Sequence, residues 1–231
     1  MKQPSRPDNS AASHAPRRKR MKGDQRRGQL IDVAIELFAR KGFGGTTTRE
    51  IAKAAQVNEA IIFRHFETKE GLYAAILDQR ARETLSEEAF EALRGLATLG
   101  DDEGFFQFLV QRILHAYRDH PQYQRLLLFS SLEKHPFAVG YYKRFVAPGF
   151  GFVRDYIEQR QRQGVFRACD PALAVFALAS IAAQYGMNKW LFERADPYAT
   201  EEEVVQQVTD LFLKGMWADR GQSNRRTPDS E

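Results

Sequence analysis

The sequence predicts an all-α fold in two parts, three short N-terminal helices followed by a larger C-terminal helical bundle. Three observations carry this. Apolar residues recur at helical spacing, as in Leu30, Val33, Ala34, Leu37 and Phe38. Pro121, Pro136, Pro148, Pro171 and Pro197 fall at the edges of the periodic segments, where proline is tolerated. The alternation expected of half-buried strands is absent.

The first helix spends its apolar face inward and ends at Lys41-Gly42, a basic last turn followed by a C-cap glycine. Phe43-Gly44-Gly45-Thr46 leads to a second, short helix. Thr47-Thr48-Arg49-Glu50 reads as a capping box, the Thr47 oxygen taking the Glu50 amide and the Glu50 carboxylate taking the Thr47 amide. Ile51, Ala52 and Ala55 give that helix its apolar side. Val57-Asn58 is a turn, with Asn58 the N-cap of a third helix from Glu59 to about His65. Thr68 caps a fourth helix from Lys69 to about Leu93. Further helices read at 103–118, 122–134, 136–147, 149–163, 171–194 and 200–218.

Composition narrows the function. Apolar residues make up 43% of the 231, enough for packed cores. No run approaches the ~18 apolar residues of a membrane span, and the polar N-terminus lacks a signal-peptide core. A single cysteine, Cys169, excludes an internal disulfide and fits a reducing cytoplasm. Of the net charge of +4, Arg17–Arg80 carries +6 (14 basic, 8 acidic) and Ala81–Glu231 carries −3 (18 basic, 21 acidic). A basic N-terminal third suits a phosphate-binding module, or a solvated basic tail. Arg17–Arg27 holds seven basic residues and one acid. It reads as an arm reaching DNA phosphates or a minor groove, or as a solubilising tail. His115, His120 and His135 do not share a helical face as metal ligands would, and no nucleophile elbow or phosphate loop is present. No catalytic residue, metal site or cofactor is expected.

Three short helices in about forty residues, with a tight link between the second and third, describe a helix-turn-helix. The run from Phe43 to Ala52, followed by Val57-Asn58-Glu59-Ala60-Ile61-Ile62-Phe63-Arg64-His65-Phe66-Glu67-Thr68-Lys69-Glu70-Gly71-Leu72, resembles the DNA-binding domain of the TetR family of bacterial regulators. The strong resemblance covers about Arg26–Leu77. It implies that Thr48 and Arg49 lie at phosphates, with Thr47 beside them at the DNA, and that Glu59, Ala60, Ile61 and Arg64 face base edges of an operator duplex. Phe63 stands at a phosphate-binding tyrosine position, His65 at a frequent histidine, and Lys69 at a phosphate-contacting lysine.

Each residue also has a plainer role. Phe63 could be platform core, His65 a packing ring, and Glu59 a charge favouring the helix N-terminus. Three positions depart from the family. Phe63 lacks the tyrosine hydroxyl, Ile61 replaces a threonine, and Gln56 stands where glycine is common in the turn. Either Gln56 adopts a left-handed backbone at about 1–2 kcal/mol, or the turn differs.

The remaining chain divides as 1–23, a disordered basic arm; 24–80, the DNA-binding domain; 81–218, a ligand-binding and dimerisation bundle; and 219–231, a disordered tail. Such bundles hold ligands between helices. An apolar or aromatic-lined pocket near Phe108, Arg112, Phe129, Phe152, Phe176 or Tyr185 is expected for a small-molecule effector. The excess apolar surface of 171–194 and 200–218 suits a homodimer interface. The resemblance implies a cytoplasmic repressor released from a palindromic operator by its effector. A regulator controlled by abundance or a protein partner is the alternative.

Overall fold

The computed structural model describes residues 23–84, 87–197 and 200–218. The basic run before Gly23 and the tail after Ala218 lie outside the described residues. Among the described residues eleven α-helices follow in order: α1 (Gly23–Lys41), α2 (Thr48–Ala54), α3 (Glu59–Phe66), α4 (Lys69–Thr84), α5 (Glu87–Leu99), α6 (Asp102–Asp119), α7 (Pro121–Leu132), α8 (Pro136–Tyr141), α9 (Ala147–Arg162), α10 (Pro171–Gly186) and α11 (Glu201–Met216). Among the described residues no helix is long and apolar enough to cross a membrane.

Several helices differ from the sequence periodicity for identifiable reasons. The first begins at Gly23, ahead of its apolar stripe. The helix expected from Lys69 to Leu93 is described as α4 and α5, with residues 85 and 86 outside the described part. Pro148 falls in the first turn of α9, a boundary position, yet the helical path runs on without a break from α8. A π-helical turn at Tyr142–Val146, in which the Ala147 amide reaches the Tyr142 carbonyl, joins α8 to α9. Proline has no amide to give and crowds the carbonyl one turn back, and the wider turn accommodates both. A second π-helical turn, Met187–Leu191, replaces the end of the predicted 171–194 helix. Beyond α11, Trp217 is extended and forms an isolated antiparallel bridge with Phe166.

Two hydrophobic clusters organise the described residues. The first gathers Leu30, Ile31, Phe38, Ile51, Ile62, Phe66, Leu72, Tyr73 and Ile76 from α1–α4, together with Tyr123 and Leu126 from α7. The second gathers Phe105, Phe106, Val110, Leu114, Val153, Tyr156, Ile157, Leu178, Val204 and Leu213 from α6 and α9–α11. Thus α7, placed by sequence in the C-terminal part, closes the core of the N-terminal helices. Asp102 pins α6 to α9. It accepts from Arg160 Nη2 at 2.6 Å, from Arg160 Nε at 2.8 Å and from the Tyr156 hydroxyl at 2.6 Å. Burial, and then the Asp102 carboxylate, pushes the Tyr156 phenol well above its usual range.

Candidate nucleic-acid interface

The capping box forms as the sequence predicts. The Glu50 amide donates to Thr47 Oγ1 at 3.2 Å and the Thr47 amide donates to Glu50 Oε2 at 2.9 Å. Lys41 Nζ joins from the end of α1 at 2.7 Å from Glu50 Oε1. The Lys41 ammonium, followed by the Thr47 backbone and hydroxyl, holds the Glu50 carboxyl down at about 2. This ties the start of α2 to the end of α1.

The turn between α2 and α3 settles the two alternatives at Gln56. Its φ is 55°, in the left-handed region. The Gln56 amide donates to the Lys53 carbonyl at 3.1 Å and the Val57 amide to the Ala52 carbonyl at 2.9 Å. That pair of bonds is a Schellman motif, which normally takes glycine at the left-handed position. Asn58 then caps α3, its side chain accepting from the Ala60 amide at 2.9 Å.

The motif fixes how α3 is presented. Ile62 and Phe66 are buried in the platform, while Ala60, Phe63 and Arg64 are exposed. Phe63 is 44% exposed, a large apolar ring facing outward with no place in the core. Ile61 is half-buried and packs against the platform. Thr47 and Arg49 are exposed at the start of α2. Lys53, one helical turn after Arg49, is exposed as well. The sequence reading passed over it, though its i, i+4 spacing from Arg49 placed it on the same side.

Four expected contacts have partners within the protein. Thr48 Oγ1 donates to Glu59 Oε1 at 2.6 Å, bracing α2 against α3 across the turn. The Thr47 hydroxyl lies 3.1 Å from Glu50 Oε2. Lys69 Nζ donates to the Phe43 carbonyl at 2.5 Å and lies 4.0 Å from the Phe43 ring centroid. Burial lowers the Lys69 ammonium from its usual range, with Glu70, Glu133 and Glu50 opposing. His65 is half-buried against Phe66, its Nε2 buried without a hydrogen-bond partner. Arg27 lies over the Phe66 ring at 5.1 Å, so part of the basic run packs on the platform.

The expected effector residues do not converge in the same way. A cleft of about 150 Å³ opens beside the second π-helical turn, lined by Tyr185, Asn188, Lys189, Arg194, Ala195, Asp196 and Pro197. Of the six predicted residues, Tyr185 alone lines it. Its hydroxyl and Lys189 both meet Asp196. Phe108 and Phe152 pack against the second cluster, and Phe152 lies 5.1 Å from Phe90. Arg112 and Phe129 are half-buried elsewhere, and Phe176 is 61% exposed.

A short helix standing on a three-helix platform, with cations beside it and an outward face free of core duty, defines a helix-turn-helix DNA-binding regulator. Residues 30–76 match the family described as bacterial regulatory proteins, tetR family. That match assigns the N-terminal helices to the tetR-type DNA-binding domain, and the rest of the chain is similar to DNA-binding transcriptional regulators along most of their length. The chain is 25% identical over 201 residues to the HTH-type transcriptional regulator YvkB of Bacillus subtilis, covering 83% of this chain and 97% of that protein. It is 26% identical over 203 residues to the HTH-type transcriptional repressor NicS of Pseudomonas putida, covering 84% and 93%.

Solved structures share the fold. A HlyIIR mutant superposes with a TM-score of 0.64 at 16% identity, covering 86% of this chain and all of that one. A transcriptional regulator from Saccharomonospora viridis, crystallised with choline, gives 0.63 at 19% identity, covering 85% and 100%. The family and these relatives are regulators rather than enzymes.

Proposed function

We propose that the protein is a homodimeric repressor that places α3 of each protomer in successive major grooves of a palindromic operator. The observation that carries this reading is the outward face of α2 and α3. Arg49, Lys53 and Arg64 are exposed cations flanking exposed Ala60 and Phe63, on a platform whose other apolar groups turn inward. Arg49, Lys53 and Arg64 neutralise phosphates. Ala60 and Phe63 offer no hydrogen bonds, so they select thymine methyl groups and groove shape. Glu59 acts as a brace through Thr48, Lys69 as a strut through Phe43, and Ile61 and His65 as packing groups at the edge of the groove.

The proposed DNA-binding unit spans 24–80, with α7 as its outer wall, and the bundle spans 81–218. Exposed Leu173, Phe176 and Ile181 on α10, with Leu211 on α11 and Trp217 just beyond it, supply a dimer face. A two-fold axis there would set the readers about 34–36 Å apart. Acting on chromosomal DNA, the protein works in the cytoplasm.

Effector release of the operator is the further part of the proposal. The choline complex of the Saccharomonospora viridis relative supports a small ligand in this fold. Control without a ligand is the second reading. It is favoured by the dense second cluster, where Phe105, Phe106, Val110, Leu114 and Ile157 have no exposure.

Selection from random duplex DNA with the full chain tests the proposal. An enriched inverted repeat with half-sites about one helical turn apart is expected. Failure to enrich any sequence would overturn it.

A further inference from the structure

The α1–α2 loop, Gly42–Thr46, carries the chain straight into the Thr47 cap of α2, so its position sets the position of the reader. Thr46 is fully buried and its hydroxyl donates to the Gly42 carbonyl at 2.9 Å. On one side the loop is held by α4, through Lys69 at the carbonyl and ring of Phe43. On the other side it meets a turn more than eighty residues away in sequence.

That turn follows α7. The Lys134 amide donates to the Ser131 carbonyl at 3.1 Å and the His135 amide to the Ser130 carbonyl at 2.9 Å, with Lys134 at a φ of 52°. This second Schellman motif also lacks glycine at its left-handed position. It aims the flanking side chains, Glu133 and His135, back at the loop. The His135 ring lies 4.6 Å from the Phe43 ring and 5.2 Å from the Tyr73 ring. Phe43 lies 4.9 Å from Tyr73 and 5.7 Å from Phe38. The Glu133 carboxylate crowds the place a Cβ would take at Gly42, and Gly42 has a φ of 72°. Burial pushes the Tyr73 phenol up to about 12, and the Ser130 hydroxyl at the end of α7 pulls the other way. Thus α7 touches both the loop and α4.

We propose that Glu133 and His135 are positioning residues for DNA binding. They clamp the Gly42–Phe43 loop against Lys69 and thereby hold α2 and α3 ready for the groove. The inference rests on the DNA-binding reading. A loop released from the clamp must be ordered at the moment of binding, and that ordering is charged against affinity.

The test compares the full-length protein with His135→Ala and His135→Phe on a duplex recovered by selection with the unaltered chain. Amide hydrogen exchange is measured on the same three proteins without DNA. His135→Ala should weaken binding about tenfold, the order of one lost aromatic contact, and His135→Phe should recover most of it. Exchange at 42–47 should quicken in His135→Ala while α6 and α10 keep their protection. Any of three results overturns the proposal. These are wild-type binding and loop exchange in His135→Ala, equal losses in both variants, or faster exchange spread through α6 and α10. If the unaltered chain selects no duplex, the DNA-binding reading fails by itself. Unchanged loop exchange in His135→Ala would still refute the clamp.

Discussion

The core around α1–α4 and the core around α6 and α9–α11 treat their large apolar side chains in opposite ways. In the first, Phe38, Ile51, Ile62, Leu72, Tyr73 and Ile76 are wholly buried, and Phe63 is the one large apolar group of α1–α4 set out as an exposed hydrophobic among the described residues. In the second, the core is just as dense, yet Leu173, Phe176, Ile181, Leu211 and Trp217 stand outside it. The reader's core is closed by its own helices and α7, and its outer face sets exposed Arg49, Lys53 and Arg64 beside Ala60 and Phe63. The bundle leaves apolar side chains exposed along α10 and α11, as well as at Leu99, Val139 and Phe192, and the proposed dimer would cover the α10–α11 group.

Breaking the open face should have the largest effect. Phe176 is 61% and Leu211 67% exposed, so charging them disturbs little of the protomer core. The double variant Phe176→Glu, Leu211→Glu should sediment as a folded monomer and lose on the order of a hundredfold or more in operator affinity, because the two half-sites are no longer linked. A dimer that survives both substitutions would move the interface elsewhere.

Next is the closed unit's charged surface. Arg64→Ala, at an exposed position on α3, should weaken binding by roughly tenfold or more, whereas Glu59→Gln should act mainly through the brace to Thr48. Comparing their affinities with their unfolding midpoints separates readout from support. If Glu59→Gln alters base preference and leaves stability unchanged, Glu59 is a reader after all.

A smaller effect probes the turns. The bundle ends α9 with Gly164 at a φ of 73°, in the same pair of bonds that Gln56 makes at a φ of 55° after α2. Gln56→Gly removes the left-handed strain but adds unfolded-state freedom. It should stabilise the protein by about 0.5–1 kcal/mol in denaturant melts. Gly164→Ala should destabilise by a similar amount or more.

The smallest effect is one of pH. Glu50 sits at about 2 in the folded protein against 4.5 in the free side chain, chiefly because of Lys41. A lowered carboxylate stabilises the fold fully above 4.5 and loses that contribution as pH falls toward 2. The stability gap between wild type and Glu50→Gln should therefore shrink across that window in acid titrations. A constant gap would remove the carboxylate charge from the account.

The same comparison shows where sequence suffices. The Thr47–Glu50 box and the Asn58 cap were legible because their partners lie within one turn of each other, and local spacing decides them. The exposed apolar side chains of α10 were legible as apolar character on more than one face. What sequence missed depends on distance along the chain. Thr48 meets Glu59 across a turn whose conformation the sequence left open between two alternatives. Lys69 is absorbed by Phe43, and Phe43 meets His135 through a helix assigned by sequence to the other part of the chain. The six predicted effector residues lie on four different helices, and how those helices pack is set by contacts distant in sequence; Tyr185 alone reaches the cleft beside the second π-helical turn.

The claim that exposed cations beside α3 grip a duplex is tested most directly by titrating a selected operator at several salt concentrations with wild type and Arg49→Ala. We predict a steep linear fall of log affinity with log salt, its slope smaller by about one in the variant. A salt-insensitive affinity, or equal slopes in the two proteins, would contradict the account.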